Sequence, residues 1–210
     1  MIITDLPLQK KNKTRYSLFI DDEFICGVQD EVVLKFKLAK NKQITPDDLK
    51  KIQEEDMFIL ARQFAARSLA MHKQSKEELR RKLHRKEFSI ECIERVIEYF
   101  LRNNYINDKE YAESFIKSKL RQKPIGKLKL KRDLMQKGIS IETINNSLNL
   151  LVDDDEQKEA AMKLAEKKLK SIKDKPREKV YASLISYLKY HGISSQIAGE
   201  VIREVLNNNN

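Results

Sequence analysis

One frame occurs three times along this chain and constrains its fold more than any other feature. LRRKLHRKEFS (79–89), LKRDLMQKGIS (130–140) and LISYLKYHGIS (184–194) align without a gap. Leu79, Leu130 and Leu184 correspond, as do Leu83, Leu134 and Leu188, while Phe88, Ile139 and Ile193 each precede a serine. Ile97, Leu148 and Ile202 follow nine residues later, and successive frames lie 51 and 54 residues apart. Leucines four apart share one helix face, so each frame predicts a short helix with a buried stripe, a stop, and a serine-capped helix after it. Gly138 and Gly192 stand at the stop, where a left-handed residue ends a helix. The period is longer than the roughly 34 residues of tetratricopeptide units or the roughly 40–47 of armadillo-type units. A unit of about 50 residues is near the lower limit for a core of its own, so three in series predict an elongated, curved solenoid of packed neighbours.

Each repeat reads as three helices. In repeat 1 (55–104), an amphipathic helix spans 56–72, a capping box at Ser75–Glu78 opens a second helix reaching about Lys86, and Ser89 caps a third. Repeat 2 (105–152) starts from the cap Asn107, breaks at Pro124 and stops at Gly138. Repeat 3 (153–210) follows the acids 153–155, breaks at Lys175–Pro176 and stops at Gly192. The N-terminal piece (1–54) differs. RYSLFI and FICGV are short β-leaning runs around Asp21–Asp22–Glu23 and predict a hairpin, which must pack on a helix or a partner. A short helix over 32–39 follows, and another opens at Thr45–Pro46 with Thr45 as cap. The fold class expected is therefore mostly all-α: tandem three-helix repeats behind a small β-hairpin and helix piece.

Composition excludes several chemistries. Five glycines, at 27, 126, 138, 192 and 199, cannot assemble a phosphate-binding or dinucleotide-binding loop. His72, His84 and His191 have no partners at metal-ligand spacing, and Cys26 and Cys92 sit among apolar neighbours. No cofactor and no catalytic constellation is expected. The longest apolar run, 57–61, is far short of the roughly 18 residues a membrane span requires, and no signal peptide is visible, so a cytoplasmic, monomeric protein is expected.

Charge is unevenly placed. The net +10 belongs almost wholly to residues 61–152, which carry 21 basic and 11 acidic side chains. Its densest stretch, 117–137, has nine cations against Asp133. Such a segment repels itself unless a polyanion or an acidic protein surface lies against it.

These residues resemble a known family, RecX, the bacterial regulators of the RecA recombinase. The resemblance runs through YSLFIDDEFICGV, SKEELRRKL, YINDKEYAESFI and the glycine-to-KGI stretch 126–139. It departs at Glu87, where the family usually has glycine. The resemblance implies a modulator that binds in the groove of the RecA–DNA filament, inhibits it, and so regulates recombination and repair. The expected contacts are electrostatic: Arg80, Arg81, Arg85 and Lys86 in repeat 1, and Lys117, Lys119, Arg121, Lys123, Lys127, Lys131 and Arg132 in repeat 2. Inward leucines should leave Arg81 and Arg85, and Lys127, Lys131 and Arg132, exposed. A second reading is a stand-alone DNA-binding protein, either sequence-blind or of helix-turn-helix type. Weak, nonspecific binding to single- or double-stranded DNA fits a surface rich in Lys and Arg but poor in Asn and Gln. Phe58, Phe64, Phe100, Tyr105, Tyr111 and Phe115 fall at core spacings, and the tail 207–210 is expected to fray.

Overall fold

The computed structural model describes residues 1–172 and 176–207. Lys175, half of the expected break in repeat 3, and the tail residues 208–210 lie outside them. The chain divides into two compact units, Met1–Lys73 with Leu79–Tyr105, and Gln74–Glu78 with everything from Ile106 onward.

In the first unit, Asp21 and Asp22 take left-handed backbone (φ 49° and 67°). They form a tight turn whose twist matches that of the flanking strands, which here are β3 (Asn12–Ile20) and β4 (Glu23–Gln29). The expected hairpin is there, but it is not alone. β1 (Ile3–Asp5) pairs antiparallel with the Phe19–Ile20 end of β3 and β2 (Leu8–Gln9) with its earlier part, giving a four-stranded sheet centred on β3. α1 (Asp30–Lys35) ends before the expected 39 because Lys37 turns left-handed (φ 49°).

α2 (Pro46–Met71) is one helix through the region that the sequence divides at 54–55. Thr45 caps it reciprocally with Asp48, and Pro46 takes the first turn, where no amide hydrogen is needed. No Gly or Pro interrupts the helix afterwards, and it has partners on more than one side: β4, α1 and α4 (Ile90–Arg102). A polar seam joins these elements. Asp56 accepts the Gln29 amide at 2.7 Å and pairs with Arg15 at 3.1 Å. Burial pushes its carboxyl above the usual range despite both bonds. Glu55 holds Lys35 at 2.7 Å and Arg95 at 2.5 Å, and the Arg95 guanidinium lies 3.9 Å from the Phe58 ring centre.

α3 (Lys76–His84) buries Leu79 and Leu83 completely. After it, Glu87 occupies the stop in left-handed conformation, φ 61°, where the later repeats use Gly138 (φ 77°) and Gly192 (φ 84°). Tyr105 does not join the core expected of it. Left-handed Asn104 ends α4, and the next ring is turned out to 64% exposure, leaning on Phe100.

The second unit holds two three-helix layers. α5 (Asp108–Gln122), α6 (Lys127–Gln136) and α7 (Ile141–Leu151) close around Ile116, Leu130, Leu134, Ile144 and Leu148. α8 (Asp154–Leu169), α9 (Arg177–Tyr190) and α10 (Ser195–Asn207) close around Leu184, Leu188, Ala198 and Ile202. Asn107, Ser140 and Asp153 cap the expected helix starts.

Two helix starts dock on two helix stops in this unit. Ser75 Oγ donates to the Lys137 carbonyl at 2.6 Å, and the Lys76 amide donates to Asp108 at 2.8 Å. Likewise the Gly126 amide donates to the His191 carbonyl at 2.8 Å, the Lys127 amide to Gln157 at 2.6 Å, and the Leu128 amide to the Gly192 carbonyl at 3.0 Å. Amides that an isolated helix start would leave unsatisfied are thus taken up by the next stretch of chain.

Candidate functional site

The basic residues singled out by sequence fall on the two units separately, and the structure sorts each set. In the first unit, Arg81, Arg85 and Lys86 are exposed around the end of α3, with Lys86 Nζ 5.7 Å from the Phe64 ring centre. Arg80 is not an open contact: its Nε and Nη2 grip Glu94 at 2.6 and 2.9 Å, a bidentate pair that reaches back to α4.

In the second unit, Lys117, Arg121 and Lys123 are exposed along and just after α5. Lys119 is half-buried, its ammonium 5.3 Å from the Phe115 ring centre. On α6 the expectation of three exposed cations holds only for Arg132. Lys127 turns inward and its Nζ donates to the Val152 carbonyl at 3.3 Å, adding a cation to the C-terminal end of α7. Lys131 is half-buried, donating to Asn145 Oδ1 at 3.1 Å. Arg132 reaches the Tyr190 carbonyl at 3.3 Å.

Two cations outside the expected set, Lys129 and Lys189, also belong to this surface. Lys129 lies 5.2 Å from the centre of the exposed Tyr190 ring, and Lys189 at the end of α9 is exposed nearby. Lys189 stands in the frame where repeat 2 has Met135, so the repeat held no signal for it. Lys137, by contrast, is a structural cation, paired with Glu78 at 2.6 Å. His191 reports the local field. Burial lowers its pKa, and Lys129, Lys123 and Lys167 lower it further.

This arrangement can attract and hold an anionic surface. Among the described residues, no three His, Cys, Asp or Glu side chains gather as a metal site, and no helix is long and apolar enough to cross a membrane.

Comparison with known proteins agrees with this modular organisation. Residues 1–45 match the regulatory protein RecX N-terminal domain, residues 61–100 the first three-helix domain of RecX, and residues 107–148 the second. A regulatory protein RecX of Clostridioides difficile is 34% identical over 98% of this chain and 96% of its own length. That of Clostridium beijerinckii is 34% identical over 97% and 95%. A crystal structure of regulatory protein RecX superposes with a TM-score of 0.79 at 22% identity, covering 96% of this chain and 98% of that one. The RecX of Lactobacillus salivarius gives 0.65 at 25% identity over 71% and 97%. With three domain models matching in sequence and relatives aligned over nearly its whole length, the chain belongs to the RecX family of regulatory proteins.

Proposed function

We propose that this chain is a non-enzymatic modulator of the RecA recombinase, acting in the cytoplasm as an inhibitor that lies in the groove of the RecA–DNA filament. The observation that carries this reading is its kinship, along nearly the full chain, with regulatory RecX proteins. We propose further that the chain works as an N-terminal piece (1–54) and repeats 55–104, 105–152 and 153–210. Tandem units let weak contacts add through high effective concentration.

Arg81, Arg85, Lys86, Lys117, Lys119, Arg121, Lys123, Lys131 and Arg132 supply contacts to anionic filament surface or exposed DNA phosphate, with steering at long range. Arg80 and Lys127 are positioning residues, since each is held inside its own unit.

The test is RecA ATPase on single-stranded DNA, titrated with this protein across a salt series. The rate is expected to fall with added protein, and inhibition to weaken as salt rises. No change in rate at saturating protein would overturn the proposal. Direct titration of the protein with DNA alone, showing tight binding to one duplex at about 200 mM salt, would instead favour the stand-alone DNA-binding reading.

A further inference from the structure

The outward face of α6 carries apolar residues that the repeat frame does not require. Leu130 and Leu134 point inward and are fully buried. Leu128 and Met135, on the other side, are 50% and 47% exposed. The corresponding residues of α3 are Glu77 and His84, so this frame accepts polar groups at both places. In α6 the two apolar side chains flank a groove of about 530 Å³ between the helix and the α9–α10 turn. Ile193, 1% exposed, forms its floor.

The rim is cationic. Lys131, Arg132 and Lys189 line it, and among the described residues none of the three pairs with a carboxylate. Ser195, the first residue of α10, also lines the groove, so the positive end of that helix faces it.

We infer that this groove binds an acidic peptide segment carrying an apolar anchor: aspartates or glutamates on the rim, and one leucine- or phenylalanine-like side chain between Leu128, Met135 and Ile193. Charge complementarity selects the acid. The apolar floor selects the anchor, with methionine suited to repacking around it. A nucleic acid would satisfy the cations but leave Leu128 and Met135 uncovered. The residues lining the groove also include no aromatic ring on which a base could stack. The inference rests on the proposal above that this face meets a partner, and it narrows that partner's chemistry.

Fluorescence anisotropy of the full chain with labelled peptides of about twelve residues tests it. One peptide is glutamate-rich with a single phenylalanine, a second has alanine in its place, and a third probe is an oligo-dT of similar length. The phenylalanine peptide is expected to bind about tenfold more tightly than the alanine peptide. Met135→Glu and Leu128→Ser are each expected to remove most of that preference while leaving the melting temperature unchanged. Lys189→Glu should weaken both peptides. Equal binding of the two peptides, or a preference untouched by both groove variants, would overturn the inference. So would oligo-dT displacing the phenylalanine peptide while its own binding ignores Leu128 and Met135. The two proposals separate cleanly. Inhibition of RecA without peptide binding overturns the groove assignment alone. Peptide binding without inhibition supports the groove and overturns the proposed function.

Discussion

The starts of α3 and α6 solve one problem with different chemistry. Each belongs to the same repeat frame, and each docks on a helix stop. Ser75 does so with its side chain, donating Oγ to the Lys137 carbonyl at 2.6 Å. Gly126, its counterpart, does so with its backbone, the amide donating to the His191 carbonyl at 2.8 Å. The difference follows from how closely the backbones approach. A Cβ built on Gly126 would lie 2.1 Å from the Gly192 carbonyl carbon and 2.4 Å from the Ile193 amide nitrogen. A repeat therefore conserves the geometry of a contact more strictly than the group that makes it, and composition at one copy does not predict composition at the next.

The largest expected effect comes from forcing the two solutions to trade places. Gly126→Ser inserts a side chain into a backbone–backbone contact that cannot yield cheaply. Thermal or denaturant unfolding should show a loss on the order of 3–4 kcal/mol. The reverse exchange, Ser75→Gly, removes one buried hydrogen bond and a helix cap, and should cost about 1–2 kcal/mol. Equal losses in the two variants would break the comparison.

A third exchange concerns charge at the Ser75 junction. Burial raises the Glu78 carboxyl, but Lys137, the Ser75 amide and the Tyr111 hydroxyl outweigh it, so its pKa lies below the ordinary value. A carboxyl whose pKa is lowered by folding adds stability above its unfolded pKa of about 4.3 and loses it as pH falls through the folded value. Stability measured by denaturant from neutral pH down to about pH 3 should fall for the natural chain. It should fall less steeply in Glu78→Gln. Position 129, the counterpart in α6, is a lysine, so Lys129→Gln should leave the carboxylate part of the limb, below about pH 5, unchanged and act only at higher pH, through His191.

The smallest effect lies at the stops. Glu87 adopts φ 61°, a conformation that costs a residue with a Cβ about 1 kcal/mol and costs glycine little. Glycine in turn gives up more chain entropy on folding, so Glu87→Gly should stabilise by only about 0.5 kcal/mol. Gly138→Ala should destabilise by more than that. Its φ is 77°, and its added Cβ would meet Glu77 Cβ at 2.3 Å.

What could be read from the sequence was what repeats or lies close along the chain. The frame leucines at 79, 83, 130, 134, 184 and 188 are all fully buried. Thr45, Ser89, Asn107 and Ser140 cap the helices expected of them, because a cap and the amides it serves lie within three residues of each other. β1 and β2 were not legible. They are three and two residues long, below any hydrophobic period, and depend on distant partners; the Ile3 amide, for example, bonds the Lys42 carbonyl. The continuity of α2 was hidden because helix and sheet partners on several sides blur the single stripe that periodicity detects. At the basic surface, net charge located the region but not the conduct of each side chain. Arg80 finds Glu94 on another helix, and Lys127 finds a carbonyl at residue 152, and neither pairing leaves a local signal.

The proposed function turns on cations of the α6 face, exposed Arg132 and half-buried Lys131, carrying inhibition of the recombinase. Its most direct measurement is RecA ATPase on single-stranded DNA, titrated with the natural chain and with the double variant Lys131→Glu, Arg132→Glu at equal melting temperature. Neither side chain lies in the core of α5–α7, so folding should be kept. The concentration giving half-inhibition is predicted to rise about tenfold or more in the variant, with the gap narrowing as salt is added. Superimposable inhibition curves for the two proteins at low salt would contradict the account.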